Sequence, residues 1–230
     1  MSSRPWVLGL ALLTLAGCGS RAEFGAEAAA APTTAPLLIP ATTAAVPPAG
    51  IDDTVIDAPP VTVDGGAVLV LGDSLTVGAT DMGALQRRLQ IAGFDDVDVI
   101  AEEGRDTAWG LEEIEDLESV PSIVVVELGT NRSADPEGFA AVVVDVVDAL
   151  RSRGAERIAW LTPVFVSDDR YADKIEVLEA TDGIDLVADW AEVVHDDPEL
   201  IGRDGLHPTE PGYSRLARFL VVTAIEVADG

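Results

Sequence analysis

The chain has 230 residues, 48% of them hydrophobic, and a formal net charge of −27. That apolar share is enough for one core of ordinary domain size, while so negative a surface repels phosphate backbones and excludes nucleic acid as a partner. The single cysteine, Cys18, rules out an intrachain disulfide and a cysteine-built metal site. We read the acidity as solubility or adaptation to salt, not as an acidic binding patch.

Residues 1–18 have the layout of an export signal. Arg4 supplies the positive start, and the apolar stretch 6–16 is too short to span a bilayer. It ends in Leu15-Ala16-Gly17-Cys18, which resembles the bacterial lipobox. The resemblance implies cleavage before Cys18, whose thiol then carries a diacylglycerol, usually with a further acyl chain; two or more chains anchor a protein stably without a transmembrane helix. Residues 19–65 are rich in Ala, Pro and Thr and hold no helical or strand period. They read as a semi-extended tether, roughly 40 Å from end to end by random-coil scaling. The expected organisation is a lipoprotein signal over 1–18, a tether over 19–65 and a folded domain over 66–230.

Within that domain, near-continuous Val, Ile and Leu runs at 67–71, 97–101, 123–128, 157–161 and 184–188 predict strands covered on both faces. Amphipathic stretches between them predict helices over 77–92, ended by Gly93, and over 108–117, followed by Pro121. A third runs over 136–153, capped by Asp135 with Pro136 in first position and ended by Gly154. Helices over 169–180 and 211–227 complete the set. Repeated β-α units of this kind predict an α/β fold, a three-layer α/β/α sandwich around a central parallel sheet of about five strands in the flavodoxin-like manner.

Ligands of such sheets bind beyond the carboxyl ends of the strands, so the polar residues that follow each strand carry the functional reading. Gly72-Asp73-Ser74 follows the first, lifting a serine hydroxyl onto a tight strand-to-helix turn at the positive end of a helix. Glu102-Glu103-Gly104-Arg105 follows the second and Gly129-Thr130-Asn131-Arg132 the third. Asp204-Gly205-Leu206-His207-Pro208 lies in the loop before the last helix. Its turn can bring the Asp204 carboxylate to one imidazole nitrogen of His207 and leave the other nitrogen for Ser74. The Asn131 amide and the N–H groups of Gly104 and Ser74 are candidates to receive a developing oxyanion. Asp73 reads as a brace of the turn. Arg105 and Arg132 either meet an anionic substrate group or pair with the abundant carboxylates. His195, the only other histidine, reads as a surface or capping residue.

These blocks resemble those of the SGNH (GDSL-type) hydrolases over essentially all of 67–229, in the right order. Gly72-Asp73-Ser74-Leu75 is similar to the family's nucleophile block, Gly104 falls at its oxyanion glycine, Gly129-Thr130-Asn131 at its oxyanion asparagine, and Asp204-Gly205-Leu206-His207 at its Asp-x-x-His block. Arg132 departs from the pattern, since many members carry aspartate there. Asp189-Trp190 and Pro198-Glu199-Leu200 resemble SGNH domains attached to bacterial membrane acyltransferases that act on cell-surface polysaccharides. The resemblance implies a serine esterase with Ser74, Asp204 and His207 as triad and Ser74, Gly104 and Asn131 as oxyanion hole, needing neither metal nor organic cofactor. The expected substrate is a short acyl ester on a small molecule or a surface glycan. The expected setting is extracytoplasmic and membrane-anchored through Cys18, as a monomer. An acyltransferase with the same triad and a catalytically silent binding module stay open as alternatives. A lipase for long chains is disfavoured by the absence of an apolar lid insertion between elements.

Overall fold

The computed structural model describes residues 66–131, 136–167 and 169–230. Cys18 with its export signal, the tether, Arg132 and the Asp135 cap lie outside the described residues. The chain runs through β1 (Gly66–Gly72), α1 (Ser74–Asp81), α2 (Leu85–Ile91), β2 (Phe94–Ala101), α3 (Thr107–Asp116) and β3 (Ile123–Glu127). It continues through α4 (Pro136–Ser152), β4 (Arg157–Leu161), α5 (Ala172–Ala180), β5 (Leu186–Ala188), α6 (Trp190–Asp196), a 3-10 turn at Pro198–Leu200 and α7 (Glu210–Asp229). The five strands form one parallel sheet in the order β2-β1-β3-β4-β5.

The alternation along the strands explains the layering. Val68 and Val70 of β1 face one side of the sheet and Leu69 and Leu71 the other, and all four are essentially inaccessible to solvent. On the first side they meet Leu75, Leu85 and Leu89 of α1 and α2, with Trp190, Leu216 and Leu220 of α6 and α7. On the second side they meet Ile114 of α3, Val143, Val146 and Leu150 of α4, and Leu178 of α5. Buried residues of α4 recur three or four apart, as the inward stripe of a helix must. Each fully buried aliphatic side chain contributes about 1.5–3 kcal/mol, so the sandwich is held from both faces of its central strands. The expected three-layer α/β/α architecture is what forms.

One helix, α6, was not among those expected; the other differences from expectation lie at ends and breaks. The single helix expected over 77–92 is two, α1 and α2, and it begins earlier, at Ser74. Tertiary contact breaks it: a Cβ on Gly83 would come within 2.6 Å of both the Ala217 side chain and the Tyr213 carbonyl of α7. Ala84, the next residue, takes the left-handed conformation with φ of 54°, which costs an L-residue about 1–2 kcal/mol. β2 begins at Phe94 rather than at 97, because it is an edge strand whose Asp95, Asp96 and Asp98 remain exposed. β5 is shorter than expected, and α5 starts at Ala172, after a turn.

In this order the chain leaves β1 in one direction to reach β2 and crosses back to reach β3. The crevice of an open parallel sheet lies at such a reversal, beyond the carboxyl ends of the strands involved. For this chain those are the ends of β1 and β3.

Candidate active site

Gly72 ends β1 where no other residue fits, since a Cβ there would lie 2.0 Å from Thr76 Oγ1. The strand can therefore pass straight into α1. Asp73 caps that helix, its Oδ1 accepting from Leu75 N–H at 3.0 Å. Ser74 is the first residue of α1, partly exposed, with its hydroxyl at the positive end of the helix dipole.

The loop before α7 brings a histidine to that hydroxyl. Gly205 supplies the turn with φ of 78°. The loop is tied down by Gly202 N–H to the His207 carbonyl at 2.7 Å and by Val166 N–H to the Gly205 carbonyl at 3.0 Å. Asp204 Oδ1 accepts from the N–H groups of both Leu206 and His207 at 3.0 Å, and Oδ2 lies 2.7 Å from His207 Nδ1. The Leu206 N–H and then the His207 ring hold the Asp204 carboxyl below the usual range. A carboxylate only accepts, so a neutral His207 carries its proton on Nδ1 and presents a bare Nε2. That nitrogen stands 3.1 Å from Ser74 Oγ. Ser74, His207 and Asp204 thus form one hydrogen-bonded line.

On the other side of the serine, Asn131 Nδ2 donates to Asp73 Oδ2 at 2.8 Å, and the Thr130 hydroxyl donates to the same oxygen. One amide hydrogen of Asn131 is thereby anchored and the second is free to face the cleft. Gly104, with φ of 74°, has open space where a side chain would stand. Ser74, Gly104, Asn131 and His207 line a single open cleft of about 530 Å³, with Val77, Asp81, Met82, Glu103 and Tyr213 among its other walls. Tyr213 packs closely against α1 because residue 78 is glycine; a Cβ there would meet its ring at 2.1 Å.

Behind the serine lies a second carboxyl. Glu127, at the end of β3 and 4% exposed, accepts from the Thr76 hydroxyl at 2.9 Å and hydrogen-bonds to the Asp73 side chain. Burial, and then the Asp73 charge, push its pKa well above the ordinary value of 4.5. Burial also raises Asp73, against the pull of the hydrogen bonds from Thr130, Leu75 and Asn131. Asp73 accepts from all three of those donors, so the ionised form suits it; Glu127 holds the proton and donates it to Asp73.

His195 stands exposed in the last turn of α6, away from the lining of the cleft. Arg105 pairs with Glu102, its guanidinium 5.8 Å from the Trp109 ring centroid. Among the described residues no cluster of His, Cys, Asp or Glu is arranged to hold a metal ion, and no helix is long and apolar enough to cross a membrane. Sequence reasoning passed over Glu127, Thr76 and Tyr213. For Glu127 the signal was present: a carboxylate inside Val124-Val125-Val126-Glu127-Leu128, where a strand covered on both faces has no place for an unpaired charge.

No curated protein sequence matches the chain. Among solved structures, the C-terminal catalytic domain of the Streptococcus pneumoniae peptidoglycan O-acetyltransferase A is similar at 22% identity and a TM-score of 0.56, covering 72% of this chain and 95% of that one. A family 3 carbohydrate esterase from Clostridium thermocellum is similar at 16% identity and a TM-score of 0.55, over 72% and 98%. A family two carbohydrate esterase from Cellvibrio japonicus is similar at 16% and 0.52, over 75% and 63%. At these identities the likeness is one of fold. The sequence profile of the GDSL-like lipase/acylhydrolase family matches residues 70–215, more than half of the chain and every residue of the cleft described above. This chain belongs to the GDSL-like lipase/acylhydrolase family, the SGNH hydrolases.

Proposed function

We propose that the protein is a serine esterase that hydrolyses short-chain carboxylic esters through an acyl-enzyme, with acylated surface glycans as its substrate class. The observation that carries this reading is the line Ser74···His207···Asp204, opening on the same cleft as Gly104 and Asn131. His207 Nε2 takes the Ser74 proton as Oγ attacks the ester carbonyl. The carbonyl oxygen becomes an anion, received by the N–H groups of Ser74 and Gly104 and by the Asn131 amide. Asp204 keeps the imidazolium oriented. Collapse of the tetrahedral species breaks the bond to the alcohol, which leaves with the proton from His207. Water, deprotonated by His207, then attacks the acyl carbon and releases the acid and a free Ser74.

The cleft is open, which supports a short acyl group on a bulky alcohol rather than a long chain. Turnover of p-nitrophenyl acetate and butyrate by the purified protein is the test. Ser74→Ala is expected to lose at least about a thousandfold in kcat, and unchanged turnover would sink the mechanism.

The second reading is transfer of the acyl group to a sugar hydroxyl in place of water. It is favoured by the likeness in fold to the catalytic domain of a peptidoglycan O-acetyltransferase. Product analysis with a glycan acceptor separates the two, since hydrolysis with no acylated acceptor counts against transfer. We also place the domain outside the cytoplasmic membrane on the 19–65 tether, anchored by lipid on Cys18; loss of membrane association in Cys18→Ser tests this.

A further inference from the structure

Lys174 is the only lysine in the chain, and it is buried, 5% exposed, on α5. Burying a cation is costly, and a leucine or methionine would fasten this helix to the sheet without that cost. What the ammonium does is therefore informative. Its Nζ lies 2.5 Å from the Gly129 carbonyl oxygen, 4.9 Å from the Phe139 ring centroid and 5.3 Å from that of Tyr171. One turn earlier, Tyr171 OH donates to the carbonyl of Thr130 at 2.8 Å. The two side chains thus grip consecutive carbonyls, Gly129 and Thr130, immediately before Asn131. Gly129 itself has φ of 129°, so the loop departs from the strand in a conformation its own sequence does not enforce. Lys174 and Asn131 also line one small cavity.

We propose that Lys174 and Tyr171 are positioning residues for the oxyanion donor Asn131. They fix the backbone on which its amide is carried, while Asp73 fixes the amide itself. The inference rests on reading the cleft as ester-acting. The electrostatic setting gives the grip a purpose. Asp81, Glu103 and Asp204 stand around the cleft, so an oxyanion forming there meets negative charge on several sides. A loop that must receive such a charge has to hold its donor in place, and the Lys174 ammonium, brought from α5 against the Gly129 carbonyl, fixes the loop at its base. Burial lowers the Lys174 pKa, and the contacts with a carbonyl and two aromatic faces are those that keep an ammonium charged.

The test uses the full-chain protein with Tyr171→Phe and Lys174→Met. For each, kcat and KM for p-nitrophenyl acetate, the rate of Ser74 labelling by a fluorophosphonate, and the thermal midpoint are measured. Phosphonylation passes through the same oxyanion hole, so it reports on Asn131 whatever the natural ester is. Tyr171→Phe keeps the ring and removes one donor; kcat should fall by about threefold to tenfold. Lys174→Met removes a charged donor and should cost about tenfold to a hundredfold. In both, KM should stay within about twofold and the labelling rate should fall in step with kcat, because the lost interaction acts on the transition state. Folded variants that label at the wild-type rate, or that lose affinity and not kcat, overturn the assignment. Where Lys174→Met fails to fold, Tyr171→Phe decides alone. A wild-type protein that neither labels nor turns over esters would refute the reading of the cleft itself. An active wild type with unimpaired variants refutes only the role of these two residues.

Discussion

The protonated carboxyl behind the nucleophile makes a quantitative prediction. Glu127→Gln replaces a neutral acid by a neutral amide of the same shape. Its carbonyl oxygen can accept from Thr76 Oγ1, and its N–H can take the place of the O–H given to Asp73. A group whose folded pKa is raised stabilises the fold fully below its unfolded pKa, and that contribution is lost as pH rises through the folded value. Glu127 is such a group: the unfolded chain releases its proton near the ordinary value of 4.5, and the native protein keeps it to a much higher pH. Across that window the native state binds one proton more, so wild-type stability falls by about 1.4 kcal/mol per pH unit from this site. The amide has no proton to release. Below the window the two proteins should be equally stable within about 1 kcal/mol. Within it the variant should gain on the wild type by about 1.4 kcal/mol for each unit, and above it the difference should level off. Urea unfolding of both proteins at a series of pH values measures this, and the many other carboxylates cancel in the difference. A difference that stays flat as the pH rises above the ordinary carboxylate range would show that Glu127 ionises in the native state as it does in the unfolded chain, and the proton-sharing pair would be wrong. Ester turnover should survive the substitution.

Asn131→Ala should lower kcat by about 10²–10³-fold with little change in KM, as removal of one oxyanion donor does; steady-state kinetics on p-nitrophenyl acetate would reveal it. Asp204→Asn should cost about 10²–10⁴-fold in kcat, because an amide can turn a donor toward His207 Nδ1 and leave the proton on the wrong nitrogen. A loss below tenfold would mean that another group orients the ring. Gly72→Ala forces a methyl to within 2.5 Å of Thr76 Cβ. It should destabilise the protein by about 1–3 kcal/mol in urea unfolding and, by displacing Ser74, reduce turnover about a hundredfold.

The sandwich was legible because its signals are local. β1 and β3 are apolar runs bounded by glycine or proline, and α4 carries its inward stripe, its first-position proline and its closing glycine in one stretch. The same holds for the four polar clusters, which follow strands or sit in a turn that only glycine permits, and the fold does bring Ser74, Asp204 and His207 together. What escaped was set by distant partners. Nothing near Gly83 announces that α7 will press on it and split a helix whose periodicity runs on without a break. The start of the strand Phe94–Ala101 is hidden because Asp95 and Asp96 interrupt its apolar pattern, as an edge strand tolerates and a central one does not. Lys174 looks like an ordinary charge until the fifth helix lies against the loop that carries Asn131.

β1 is the first element of the described domain and a central strand of the sheet, paired over seven residues with β2 and over five with β3. A pull arriving at Gly66 runs along that strand and loads both hydrogen-bonded ladders in shear, so the bonds must fail together rather than one at a time. Ser74 lies two residues past the far end of the strand. Tension is therefore spent in the sheet before it reaches the turn that carries the hydroxyl. A domain built this way can be held by its leading end, against flow or a moving surface, without its serine being drawn off its histidine.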